Sequence, residues 1–153
     1  MAANSLWGAA HATFAIERQF TVSPARVYAA WVEHEARQAW MVGPEDDLET
    51  DVRVGGVERA TFGGGDGASY EDETRYLDIV PGQRIVFVYT MMRNGTLLST
   101  SLATVEFADA DGTTRMRFTE QGVYLDGADG SRDRRTGWGG MFDRLEAALV
   151  PAD

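Results

Sequence analysis

The stretch from Ser131 to Val150, SRDRRTGWGGMFDRLEAALV, carries the long helical pattern of the chain, and the rest must be arranged around it. Trp138, Met141, Phe142, Leu145 and Leu149 recur at three- and four-residue steps, so one face is apolar while Asp143, Arg144 and Glu146 point elsewhere. At the rise of an α-helix this segment runs about 28 Å, enough to cross a small domain and cover one face of a sheet. Its first half is unusual. Gly137, Gly139 and Gly140 each weaken a helix by roughly 1 kcal/mol relative to alanine, yet they flank the largest side chain of the segment. Two readings follow: close packing of the helix on a neighbouring strand, weighted first, or a ligand lying against the bare backbone.

What precedes the helix reads as strands. Phe14, Ile16 and Phe20 alternate over 13–20, the period of a half-buried strand. Ser23-Pro24 starts a short helix bearing Val27, Tyr28, Trp31 and Val32, and a second short helix, Glu35 to Trp40, ends before Gly43-Pro44. The alternation of Leu48, Thr50, Val52 and Val54 predicts a strand over 47–54 that stops at Gly55-Gly56. Further strands are predicted at 57–62, 70–80, 85–91, 97–107 and 113–121, punctuated by Pro81-Gly82, Asn94-Gly95 and Asp111-Gly112, with a glycine-rich connection over 124–130. The order is α+β: a strand, two short helices, about six antiparallel strands at hairpin spacing and one C-terminal helix. Residues 1–12 are read as a flexible tail and 13–150 as a single domain, consistent with 153 residues and 44% hydrophobic content. A hairpin sheet of this length curls, and a lone helix laid in its concave side leaves a space between the two.

Composition excludes several chemistries. The formal net charge of −10 leaves no source of the cations that dominate nucleic-acid affinity. All 14 basic residues are arginine, which rules out Schiff-base chemistry, pyridoxal phosphate attachment and a Walker lysine. The absence of cysteine rules out disulfides and thiolate chemistry and suits the cytoplasm. The apolar run Ile85 to Met92 is too short for membrane insertion, and the first residues lack the basic leader of a signal peptide. His34-Glu35 is followed by Gln38 where a zinc-protease motif needs a second imidazole, and Glu45, Asp46, Asp47, Glu49 and Asp51 lack calcium-loop spacing, so no metal and no cofactor is expected.

The residues left to carry chemistry cluster on inward positions. Met116 and Phe118 set the apolar face of the last strand, and Glu120 falls on that face by parity. A carboxylate there is costly unless partnered. It sits at the frayed strand end near solvent, pairs with an arginine such as Arg134 or Arg135, or serves as a polar anchor or general base at the mouth of an apolar cavity. Glu120 is therefore the catalytic candidate that the residues themselves offer. Trp31, Trp40, Tyr70, Phe87, Tyr89, Phe118, Glu120, Tyr124, Trp138, Met141 and Phe142 are the candidate ligand contacts, each alone as compatible with plain core.

Several stretches together resemble a known family. SPARVYAAW at 23–31, WMVGP at 40–44, DVRVGG at 51–56, YLDIVPGQRIVF at 76–87 and TEQGVYLDG at 119–127 look like the SRPBCC group, and more narrowly the branch named after the activator of the heat-shock-protein-90 ATPase. The resemblance covers nearly all of the chain beyond the first dozen residues. It implies a START-like helix-grip fold, in which a curved antiparallel sheet of six to seven strands wraps the C-terminal helix and encloses a hydrophobic cavity. Relatives include polyketide cyclases, lipid carriers and antibiotic-sequestering proteins, so the fold alone does not choose among functions. The leading expectation is binding of an apolar or aromatic small molecule, lipid or polyketide-like, between sheet and helix. The alternatives are a polyketide cyclase or dehydratase using Glu120 as base and Tyr124 as donor, and a stress-related chaperone-interaction module. The chaperone activators carry an additional domain for which this chain has no room, so a chaperone partner is the weaker expectation; the resemblance also admits a homodimer.

Overall fold

The computed structural model describes residues 7–63, 65–127 and 130–149. Strand β1 (Ala9–Phe20) leads into α1 (Pro24–Val32) and α2 (His34–Met41), followed by β2 (Asp47–Glu49), β3 (Val57–Gly63), β4 (Ser69–Val80), β5 (Arg84–Arg93), β6 (Thr96–Ala110), β7 (Thr113–Leu125) and α3 (Ser131–Ala148). The strands form one antiparallel sheet of seven in the order β1-β7-β6-β5-β4-β3-β2. This is the predicted α+β helix-grip arrangement.

Local chemistry sets the elements. Ser23 caps α1 by accepting from Arg26 N at 3.4 Å, with Pro24 at the first helical position. Asn94-Gly95 and Asp111-Gly112 both take positive φ at both residues, the geometry of a tight hairpin whose twist matches its strands. At Pro81-Gly82 the chain closes with Gln83 N on Val80 O at 2.9 Å while Gly82 has φ 73°.

β1, β2 and β7 depart most from the sequence reading. β1 starts at Ala9 rather than Thr13, because β7 continues to Leu125 and pairs Ala9 with Leu125 through Ala12 with Gly122. That takes Ala9 to Ala12 out of the expected tail, and residues 1–6 lie outside the described residues. The expected strand over 47–54 stops at Glu49. Thr50 donates to the buried Glu58 at 2.6 Å, and the chain then turns on Arg53 N to Asp51 O and Gly56 N to Arg53 O bonds. A Cβ at Gly56 would lie 2.0 Å from Asp51 O, so only glycine fits that turn.

The core lies between the sheet and α3, whose Trp138, Phe142 and Leu145 are buried as the helical period predicts, with Leu149 buried just past its end. Trp31 of α1 stacks near Trp138 (6.4 Å, 15°) and meets Trp40 of α2 edge-on at 4.8 Å. Arg18 on β1 ties down the outer side of α3, bonding Asp143 Oδ1 at 2.7 Å and the Gly139 carbonyl at 3.2 Å. The helical glycines are not there for close packing on a strand. A Cβ at Gly137 or Gly140 would meet nothing within 4 Å, and at Gly139 only the Arg18 guanidinium at 3.7 Å.

Candidate functional site

Glu120 on β7 is fully buried beside Met116 and Phe118, as strand parity requires. Each of its oxygens receives two donors. Tyr89 OH, in a short hydrogen bond, and Trp138 Nε1 at 3.1 Å donate to Oε1; Tyr124 OH at 2.6 Å and Ser101 Oγ at 3.1 Å donate to Oε2. Arg134 of α3 adds its charge 3.8 Å from Oε2. The same guanidinium donates to Tyr89 OH at 3.0 Å and Ser99 Oγ at 2.8 Å and lies over the Tyr89 and Tyr124 rings. Gly122 makes room for this network, since a Cβ there would sit 2.8 Å from Ser101 Oγ and 3.0 Å from Tyr124 OH. Burial, reinforced by Glu120, pushes the Tyr89 and Tyr124 hydroxyls up, which keeps both as donors. The pairing with Arg134 anticipated from the sequence is present. The placement of Glu120 at a cavity mouth is not, because its hydrogen-bonding capacity is consumed inside the wall.

A cavity of about 290 Å³ opens on the other side of that wall. α3 contributes Gly137, Trp138, Met141 and Arg144; β3, β4 and β5 contribute Ala60, Phe62, Asp72, Tyr89 and Met91; Met41 and Val42 follow from the end of α2. Methionine adapts its shape and binds aromatic rings through a polarisable sulfur, so three of them around one space make a compliant apolar lining. Tyr89 and Trp138 belong to both structures: they are among the cavity's lining residues while their polar tips hold Glu120. The glycine at 137 now has a role, as its missing side chain leaves part of this volume open.

Asp72 is the deep polar group of the cavity, 9% exposed. Its one hydrogen bond among the described residues comes from Thr74 Oγ1 at 3.2 Å. Burial, and then the nearby charge of Glu58, push its carboxyl up to about 7. Glu58, one strand away, has the opposite surroundings. Arg37 grips it through Nε at 2.5 Å and Nη2 at 2.8 Å, and Thr50 and Tyr76 donate at 2.6 and 3.1 Å. Burial pushes the Glu58 carboxyl up, but the charge and hydrogen bonds of Arg37, with those of Thr50 and Tyr76, outweigh it and hold it below its ordinary value.

Of the predicted contact residues, the structure brings Tyr89, Trp138 and Met141 to the cavity. Trp31, Trp40, Phe87, Phe118 and Phe142 instead fill the core against one another, with Phe118 4.4 Å from Trp138 and 5.4 Å from Phe142. Tyr70 stacks on Phe62 at 5.6 Å and donates its hydroxyl to Asp66, outside the cavity lining. Tyr124 and Glu120 sit in the network behind. Sequence reasoning missed Asp72, Phe62, Met91 and Met41. The parity of Asp72 with Thr74 and Tyr76 on β4, against exposed Glu71, Glu73 and Arg75, was the signal that could have found the first.

The sequence model of the activator of Hsp90 ATPase homolog 1-like proteins matches residues 21–150. The chain belongs to this family. Its fold is accordingly that of the START-like SRPBCC superfamily. Two solved structures of bacterial proteins are similar throughout. Mll3558 of Rhizobium loti is 39% identical with a TM-score of 0.87, over 92% of this chain and 99% of that one. A protein of Rhizobium leguminosarum is 39% identical with a TM-score of 0.89, over 95% and 98%. CV1439 of Chromobacterium violaceum follows at 25% identity and a TM-score of 0.75, over 92% and 98%. No curated protein matches the chain. Among the described residues no helix is long and apolar enough to cross a membrane.

Proposed function

We propose that the protein binds a flat apolar small molecule in the space between α3 and strands β3 to β5. The supporting observation is the cavity of about 290 Å³ walled by Met41, Phe62, Met91, Met141, Trp138 and Tyr89. That volume is at the small end of ligand pockets, so it suits a body of two or three fused rings rather than a long lipid chain. Tyr89, Trp138 and Met141 are the ligand contacts in this reading, and Glu120, Tyr124 and Arg134 are positioning residues that lock the Tyr89 and Trp138 rings. Calorimetric titration with naphthalene-sized aromatics tests it, with Gly137→Leu as the blocked variant. A Cβ at 137 meets no protein atom, and Gly137 lines the cavity, so the larger side chain is expected to occupy that volume, with the melting temperature of the variant measured to check that it is folded. Saturable binding by the parent that Gly137→Leu abolishes is the expected result; equal binding by both sinks the proposal.

One observation favours a catalytic second reading. Asp72, with its carboxyl pushed up to about 7, is a group that can take and return a proton beside a bound ligand. In that reading turnover is lost in Asp72→Asn, and Glu120→Gln alters it only through ring positioning.

A further inference from the structure

Three carboxylates are buried among the described residues, Glu58, Asp72 and Glu120. Glu58 has a bidentate arginine and two hydroxyls, and Glu120 has four donors and an arginine. Among the described residues Asp72 has one hydroxyl, no cation within 4.0 Å and no hydrogen bond to Oδ2, and it is the one of the three that lines the cavity. A buried carboxylate left in this condition costs free energy that a well-packed apolar residue would not. A ligand bringing positive charge and N–H donors to the Asp72 carboxylate supplies what the protein withholds.

The surroundings fit the same chemistry. Trp138 and Phe62 line the cavity, and aromatic rings attract an ammonium group; the Tyr89 ring is already covered by the Arg134 guanidinium. Asp46 and Asp133 join Asp72 in the lining, against Arg134 and Arg144. Arg134 is committed to Tyr89, Ser99 and Glu120, and Arg144 donates through Nε to the Trp40 carbonyl at 3.1 Å. The whole chain carries a net charge of −10, which raises the local concentration of cations over anions.

We infer that the cavity is selective for organic amines: an apolar, preferably aromatic body held by the methionines and rings, with a protonated nitrogen seated on Asp72. This rests on the ligand-binding reading above and names the ligand class for that same site. The nitrogen donates to Oδ2 and to the lone pairs of Oδ1 that Thr74 does not use, and no covalent step is involved. The inference predicts discrimination between ligands of nearly equal shape, which an apolar cavity alone cannot provide.

The test is a matched series on one ring system, naphthylmethylamine, naphthylmethanol and naphthoic acid, titrated calorimetrically into the full chain at about pH 8, where the amine is largely cationic and Asp72 largely ionised. The amine should bind at least about tenfold more tightly than the alcohol, and the acid most weakly. In Asp72→Asn the amine should fall to the level of the alcohol, whose own affinity changes by less than about twofold. The melting temperature of Asp72→Asn, measured alongside, confirms that it is folded. Equal affinity for amine and alcohol, preference for the acid, or an amine preference that survives Asp72→Asn each overturn the assignment while leaving ligand binding in place. Failure of all three compounds to bind removes the ligand-binding reading and this inference with it.

Discussion

Glu120 and Asp72 are carboxylates on strands of the same sheet, both buried, and they face opposite fates. Glu120 is closed in by Tyr89, Ser101, Tyr124, Trp138 and Arg134; Asp72, across the cavity wall, has Thr74. A saturated buried carboxylate specifies which rings stand where, and once saturated it has little left to offer a ligand. An unsaturated one does the reverse, weakening the fold while keeping lone pairs for something else. Glu58 belongs with Glu120 in this respect, pinning α2 to β3 through Arg37. The result is a filled polar wall behind a thinly satisfied polar floor.

The largest effect is expected at Arg37. Arg37→Ala strands Glu58 as an uncompensated buried charge and should cost about 3–5 kcal/mol in denaturant unfolding. A loss of under about 1 kcal/mol would mean that Glu58 does not depend on its partner.

Next in size, and opposite in sign, is Asp72→Asn, which should stabilise the protein by roughly 2–4 kcal/mol near pH 8. The folded-state carboxyl is pushed up to about 7, so between about pH 4 and that value the native state holds a proton that the unfolded chain has released. Stability therefore falls as pH rises through that window, and the advantage of Asn should shrink towards pH 4. Glu58, held below its ordinary value, contributes in the other sense: its stabilisation is present above about pH 4.3 and is lost as pH falls further. Unfolding curves across pH for wild type and Asp72→Asn separate the two; a constant difference contradicts the assignment to Asp72.

Glu120→Gln comes third. It places an amide N–H₂ among donors and should cost about 1–3 kcal/mol, measured by thermal unfolding, while an amine preference governed by Asp72 persists. Gly137→Ala is the smallest change, stabilising α3 by about 1 kcal/mol because the new methyl meets no atom. The same methyl intrudes on the cavity and should weaken the larger aromatic ligands before the smaller ones, which a titration series reads directly.

The hairpin signals Asn94-Gly95 and Asp111-Gly112, the Ser23-Pro24 helix start and the period of Trp138, Phe142 and Leu145 were legible because each is local: the residues that make the signal are the residues that obey it. The inward parity of Glu120 was legible for the same reason. The alternation over 47–54 misled because a strand needs a partner as well as a period, and at Thr50 the chain turns to satisfy Glu58. The list of aromatic candidates is wider than the cavity lining for a related reason. Trp31, Phe87 and Phe118 have the same inward parity or helical phase as cavity residues, and only the filling of the space between layers tells core from wall.

By itself, then, the sequence determined the order of elements, the antiparallel connections and which faces turn inward, since these follow from short-range backbone sterics and hydrophobic period. The tertiary structure decided which inward groups meet. The donors that saturate Glu120 come from β5, β6, β7 and α3, and the absence of such donors at Asp72 is a property of the same assembly. Hydrogen bonding and desolvation depend on distances of a few ångströms between residues far apart along the chain, and no pattern along the chain encodes them directly.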